Sequence, residues 1–195
     1  GNSGSGKTTL LDNAFGLISP EYSTWSFKTK KETFTLKGLK ESYFLKYLLG
    51  YSPQNDFLFE SSLYENILMK EKFQITNKEK LQINNLLEKL GLDYIFNNLS
   101  NTIESDLANN IYSPGEIKRI CLLRNIFFNK QIEFYDEPTT FLDKESKKLV
   151  IDFLVKRAKS KIVLIVSHDN DLIRISDSIY KTSQKDRVNL INLYK

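Results

Sequence analysis

The sequence predicts an α/β fold of the P-loop type with a mostly parallel sheet, and three features carry that prediction. Residues 1–9 read Gly1-Asn2-Ser3-Gly4-Ser5-Gly6-Lys7-Thr8-Thr9, the G-x-x-x-x-G-K-[ST] pattern of a phosphate-binding loop. Two apolar runs, residues 132–135 and 162–166, have the composition of strands buried on both faces of a parallel sheet. A helical pattern at about 144–159 lies between them, as a βαβ crossover requires.

Each element follows from local chemistry. In the loop, successive N–H groups turn inward and form a nest for β- and γ-phosphate oxygens. Gly1, Gly4 and Gly6 permit positive φ and close backbone approach. Asn2, Ser3 and Ser5 supply the intervening amides. Lys7 adds a point charge, and the Thr8 hydroxyl can ligate Mg²⁺. The helix starting near Lys7 and running through Thr9 directs its positive end at the anion. Leu11, Ala14, Phe15 and Ile18 line one face of it.

Ser19-Pro20-Glu21 reads as a turn, and residues 23–28 and 33–37 as short strands rich in Thr and aromatic side chains. Residues 39–49 read as a helix and Gly50-Tyr51-Ser52 as a short strand. From Ser61 to about 101 the pattern is helical. Ile83, Leu86, Leu87 and Leu90 are spaced i, i+3, i+4, i+7, with Gly91 as C-cap. Over 114–128, Ile120, Leu123 and Phe127 share a face that Cys121, Leu122 and Ile126 widen, so this helix is expected to be buried on most sides. The layout is one domain over 1–195, with a helical insertion at about 61–128 and a partial N-terminal antiparallel β part.

Composition bounds the function. The 195 residues suit one domain with a good core, and 41% apolar residues is ordinary for a water-soluble chain. The net charge is +4, and its basic residues are scattered rather than clustered, so nucleic acid is not an expected partner. The single cysteine, Cys121, cannot close an internal disulfide and reads as a small buried hydrophobe. No leader pattern and no apolar run of about 18 residues is visible. A cytosolic setting fits, with any membrane part outside these residues.

The run 132–135 ends in Asp136 and Glu137. A strand end that delivers Asp beside a P-loop is a Walker B arrangement, in which Asp136 would hold Mg²⁺ through water and Glu137 is placed to orient or deprotonate the attacking water. Glu137-Pro138-Thr139-Thr140-Phe141-Leu142-Asp143 resembles the Walker B exit and D-loop of ATP-binding cassette (ABC) ATPases. Val166-Ser167-His168-Asp169 resembles their H-loop, and Tyr51-Ser52-Pro53-Gln54 their Q-loop. The resemblance spans essentially the whole chain. It implies that Gln54 reaches Mg²⁺ and the lytic water, that His168 contacts the γ-phosphate, and that Asp143 acts across a dimer interface. Residues 57–59 and 62–68 resemble the segment that meets coupling helices in ABC exporters. Thr102-Ile103-Glu104 resembles the exporter cross-talk loop.

Two departures stand out. The family's signature helix opens Leu-Ser-Gly-Gly-Gln, whereas here it opens Tyr112-Ser113-Pro114-Gly115-Glu116. Ser113, Pro114 and Glu116 form a good helix start with a capping box. Pro114, however, removes one N–H from an end that in the family binds the opposite subunit's ATP, and Glu116 adds negative charge there. Ser113 and Gly115 are retained. The family's adenine-stacking aromatic and the strands before the P-loop have no counterpart here, so the N-terminal part of the fold is expected to be missing. The resemblance thus implies ATP and Mg²⁺ binding and hydrolysis in a domain of exporter type. Its implied partners are a second ABC ATPase domain, identical or different, and a transmembrane domain at the cytoplasmic membrane face. A soluble ABC ATPase, or a degenerate regulatory half-site, are the alternatives.

Overall fold

The computed structural model describes residues 9, 12, 24–28, 33–37, 49–95 and 112–180. Residues 1–8 of the phosphate-binding loop, the turn at 19–21, residues 39–48 of the helix expected over 39–49, and the segment 102–104 lie outside the described residues. Thr9 and Asp12 are helical.

Strands β1 (Thr24–Lys28) and β2 (Thr33–Lys37) form an antiparallel pair, with Ser26 opposite Thr35. β3 (Leu49–Ser52) belongs to a second, parallel sheet with β4 (Ile132–Asp136) and β5 (Ile162–Val166), in the order β3-β4-β5. Leu49 therefore starts a strand rather than ending a helix; it is 3% exposed and pairs with Ile132. The sheet and helices make an α/β fold, as the sequence predicts.

Between β3 and β4 lie α1 (Leu63–Leu68), a single 3₁₀ turn (Lys72–Gln74), α2 (Asn77–Lys89) and α3 (Pro114–Phe128). Three of these helices open with the same device. Ser62, Thr76 and Ser113 each accept from the N3 amide, while Glu65, Glu79 and Glu116 return a carboxylate to the cap backbone. α2 ends on Leu90 with Gly91 at φ 66°, the left-handed position expected of it.

α3 packs against both α1 and β3. At Gly50 a Cβ would stand 2.8 Å from the Asn125 side-chain oxygen, so only glycine lets the helix lie this close to β3. The α3 surface is buried on most sides, but not by apolar residues alone. Lys118, Arg119 and Asn125 are buried together with Ile120, Cys121, Leu122 and Leu123. Phe127 and Ile126 are only half-buried.

α4 (Lys144–Ala158) crosses from β4 to β5, and α5 (Asn170–Ile175) follows β5. β4 is buried as predicted, but β5 is not. Val163 and Ile165 pack on the core, whereas Ile162 and Leu164 are 58% and 38% exposed. The core that α4 helps form covers one face of that strand, and the alternation of β geometry turns the other residues outward. Glu133, which interrupts the apolar run of β4, is fully buried. It ion-pairs with Arg157 of α4 and accepts from Tyr135 Oη at 3.0 Å.

That pair bolts α4 to β4. Arg157→Met leaves the Glu133 carboxylate buried without its cation and is expected to cost about 3–5 kcal/mol. Combining it with Glu133→Leu recovers most of that loss. Urea denaturation of the two variants checks both outcomes.

Candidate functional site

Of the sequence-predicted residues within the described segments, Gln54, Asp136, Glu137 and His168 follow the C-terminal ends of the parallel strands, whereas Ser113, Gly115 and Glu116 lie at the start of α3 and Asp143 at the start of α4. β3 ends at Ser52, opposite Tyr135, so Gln54 emerges beside the end of β4. β4 ends at Asp136, opposite Val166, and the Glu137 N–H continues the ladder by donating to Val166 O at 2.8 Å. Ser167 and His168 follow directly. Open α/β sheets place ligand crevices at this edge.

Glu137 has φ 48°, an uncommon conformation for a residue with a side chain. The turn points its carboxylate back at the end of β5. Oε2 accepts from Ser167 Oγ at 3.1 Å, and Oε1 lies 2.9 Å from His168 Nδ1. An ionised carboxylate only accepts, so Nδ1 carries the hydrogen in this contact. The Nε2 end is then left for solvent or a ligand, and the His168 side chain is 82% exposed against 10% for that of Glu137. Asp136 is buried at the strand end.

Beside them, Thr139 Oγ1 donates to Asp169 Oδ2 at 3.0 Å, and Lys147 of α4 bridges Asp169 and Asp171. Burial alone would raise the Asp169 carboxyl pKa; Lys147 and the hydrogen bonds from Asp171 and Thr139 bring it below the usual range. Glu137, Thr139, Thr140, Phe141, His168 and Asp169 line a cleft of about 320 Å³. Phe141 at its rim has φ 66° and is 72% exposed. Asp143 caps α4. Its carboxylate accepts from the Glu145 and Ser146 amides and from Ser146 Oγ, which hold its pKa below the usual range.

Asp12, in the helical segment that begins by Thr9, reaches β3. Tyr51 Oη donates to Asp12 Oδ1 at 3.2 Å. Burial, then the nearby Asp12 and Asp136 carboxylates, raise the Tyr51 phenol well above its ordinary pKa. Gln54 is exposed, and its backbone carbonyl accepts from Lys118 Nζ at 3.0 Å.

The α3 start is closed on itself. Glu116 Oε2 accepts from Ser113 N at 2.6 Å, and Oε1 accepts from Tyr94 Oη. Burial would raise the Glu116 carboxyl pKa, but these bonds hold it below the usual range. Gly115 lies against the turn after β4: a Cβ there would stand 2.9 Å from Phe141 O.

Sequence reasoning missed the cations of α3. Lys118 ion-pairs with Asp56, and Arg124 Nη2 donates to Phe57 O at 2.8 Å. Burial pushes the Asp56 carboxyl up, with Lys118 and Arg124 acting against it. The available signal was spacing: Lys118 and Arg124 flank Cys121 at i±3, on a face already read as buried. Cys121 is indeed a buried free thiol, its pKa pushed up to about 12 by burial.

The sequence profile described as "ABC transporter" matches residues 1–140. "ABC transporter G family member 20" of Arabidopsis thaliana is 32% identical over 182 residues, which cover 90% of this chain and 23% of that protein. "Lacticin-481/lactococcin-DR transport/processing ATP-binding protein lcnDR3" of Lactococcus lactis subsp. lactis is 27% identical over 189 residues, covering 95% of this chain and 25% of that one. The chain thus spans about a quarter of the length of the curated relatives it matches. The solved structure of a bacterial Atm1-family ABC exporter with ATP bound superposes with TM-score 0.74 at 20% identity. It covers 94% of this chain and 31% of that one.

Gly115→Ala tests the packing at the α3 start. In an open helix this change stabilises by up to about 1 kcal/mol. Here the clash with Phe141 O is expected to reverse the sign, with a loss of about 1–3 kcal/mol in urea denaturation. A stabilised variant would show that the contact does not constrain the helix.

Proposed function

We propose that this chain, which belongs to the ABC transporter family and is one of its ATP-binding domains, hydrolyses ATP to drive export of a substrate across a membrane. The observation that carries the hydrolytic reading is the Glu137–Ser167–His168 cluster at the open edge of the parallel sheet.

The phosphates of ATP would sit on residues 1–9, held by the backbone nest and Lys7. Glu137 would accept a proton from the attacking water while Ser167 and His168 keep its carboxylate aimed. Its positive φ and the Val166 hydrogen bond fix the backbone from which it acts, so orientation is set before substrate arrives. His168 would present its exposed Nε2 end to the γ-phosphate. The oxygen donors that the sequence offers, Asp136, the Thr8 hydroxyl and the Gln54 amide, have the hard character that Mg²⁺ requires, and few protein ligands suffice because Mg²⁺ keeps several waters. When bound there, Mg²⁺ would neutralise charge developing on the phosphates.

Two such domains would close head-to-tail. Ser113 and Pro114 are exposed at the α3 start, and Phe141 is exposed on the turn beside it, so these surfaces are accessible to a second domain. Asp143 would sit at the same interface. Coupling to a transmembrane partner is supported by the exposed Phe57 and Phe59 rings, which pack edge-on at 4.9 Å with Arg124 over both. Among the described residues no helix is long and apolar enough to cross a membrane, so the spanning part would be contributed elsewhere. The working location is the cytoplasmic membrane face.

The α3 start supports a weakened trans site. Pro114 supplies no N–H, and Glu116 uses its carboxylate to cap the helix from within. A partner domain with an open helix start would complete the competent P-loop half of this chain.

Glu137→Gln is expected to lower ATPase activity by about 100-fold or more while ATP still binds. Undiminished turnover would remove Glu137 from the chemistry. Pro114→Gly combined with Glu116→Gln is expected to raise ATP-dependent dimerisation and turnover several-fold. If sedimentation and steady-state rates stay at wild-type values, the self-capped helix start does not limit the cycle.

A further inference from the structure

We infer that Lys118 is a positioning residue for Gln54: its buried ammonium fixes the backbone of residues 53–56 and so sets where the Gln54 side chain stands at the nucleotide site. The inference rests on the hydrolytic reading above and extends it to α3.

Lys118 is 2% exposed. Burying an ammonium is costly unless its donors are met. Among the described residues its partners lie on one short segment, 53–56. Nζ pairs with the Asp56 carboxylate and donates to Gln54 O at 3.0 Å and Pro53 O at 3.5 Å. A lysine suits this task, being a compact charge with three rotatable donors. The same α3 face holds the next residue as well, since Cys121 Sγ and Arg124 Nη2 both donate to Phe57 O, at 3.5 and 2.8 Å. The β3 ladder anchors the segment on its other side, at Ser52. The backbone is thus gripped from the buried side, while Gln54 itself is exposed.

A simpler role is available to Lys118, that of neutralising Asp56. The two roles need different things. Neutralisation needs only charge; positioning needs N–H donors at the Pro53 and Gln54 carbonyls.

Lys118→Met alone leaves a buried carboxylate and can fail to fold. The deciding protein is therefore Lys118→Met/Asp56→Asn, which removes both charges at similar volume. In the intact protein, this double variant is expected to melt close to wild type. Its kcat for ATP should fall roughly 10- to 100-fold with KM little changed, and adding Gln54→Ala should lower kcat no further. A nitroxide on Asn55→Cys, an exposed site, should move faster on the nanosecond scale than in the wild-type background. Wild-type kcat in the double variant, a full multiplicative loss on adding Gln54→Ala, or an unchanged nitroxide spectrum would each overturn the proposal. If the wild-type protein does not hydrolyse ATP, the hydrolytic reading fails by itself, and the nitroxide spectrum alone decides the positioning of this segment.

Discussion

Burying the cations of α3 is the constraint on which the rest of the structure depends. A buried cation must be paired or hydrogen-bonded, and α3 carries Lys118 and Arg119 almost wholly inside, with Arg124 half-buried. Between them they reach three parts of the chain. Lys118 takes the segment after β3. Arg119 takes the C-terminal end of α2 through Leu90 O at 2.8 Å and Gly91 O at 3.3 Å. Arg124 takes Asn66 O at the end of α1, at 2.9 Å, and Phe57 O. One helix therefore fixes the relative positions of three segments that share no secondary structure. Apolar packing fills the space between them, but it is non-directional and would tolerate sliding. The cations make the arrangement directional.

The candidate site lies at the ends of the parallel strands. Parallel strands end at a common edge, and that edge collects Gln54, Asp136, Glu137, Ser167 and His168 from three separate strands. The strained backbone at Glu137 is held by a ladder hydrogen bond and two side-chain contacts, so the structure over-determines it. Because α3 grips the segment that carries Gln54 and also lies against Phe141, it contacts the site from two directions.

The α3 start shows how a local preference can oppose a family role. As a helix terminus it is well built, with Ser113 capping, Pro114 at the first position and Glu116 closing the box. Tyr94 adds a further hydrogen bond to Glu116 from the end of the preceding helical region. The Ser113 and Glu116 caps take up N–H groups that an anion could otherwise use, Pro114 brings none, and Tyr94 holds the capping carboxylate in place. An anion at this helix start would therefore compete with the caps for the same few N–H groups.

Much of the fold was legible because it is written in local periodicity and punctuation. The helix over 114–128, the strands at 24–28 and 33–37, and Gly91 at positive φ needed only neighbouring residues to be predicted. The acids at the end of β4 and the histidine after β5 were legible because ordered motifs place them at strand ends. What escaped was non-local. The partners of Lys118 and Arg124 lie 58 to 67 residues away along the chain, so no short window of sequence contains both halves of those contacts. Glu133 looked like an interruption in an apolar strand until Arg157, 24 residues on, proved to face it. The half-exposure of β5 likewise depends on what packs on each face and not on its own apolar run. By itself the sequence determined the family, most element types and the candidate site residues, since these reside in motifs and short-range pattern. Only the tertiary structure decided which loop each buried cation holds and how Glu137 is aimed, because those depend on groups brought together through space.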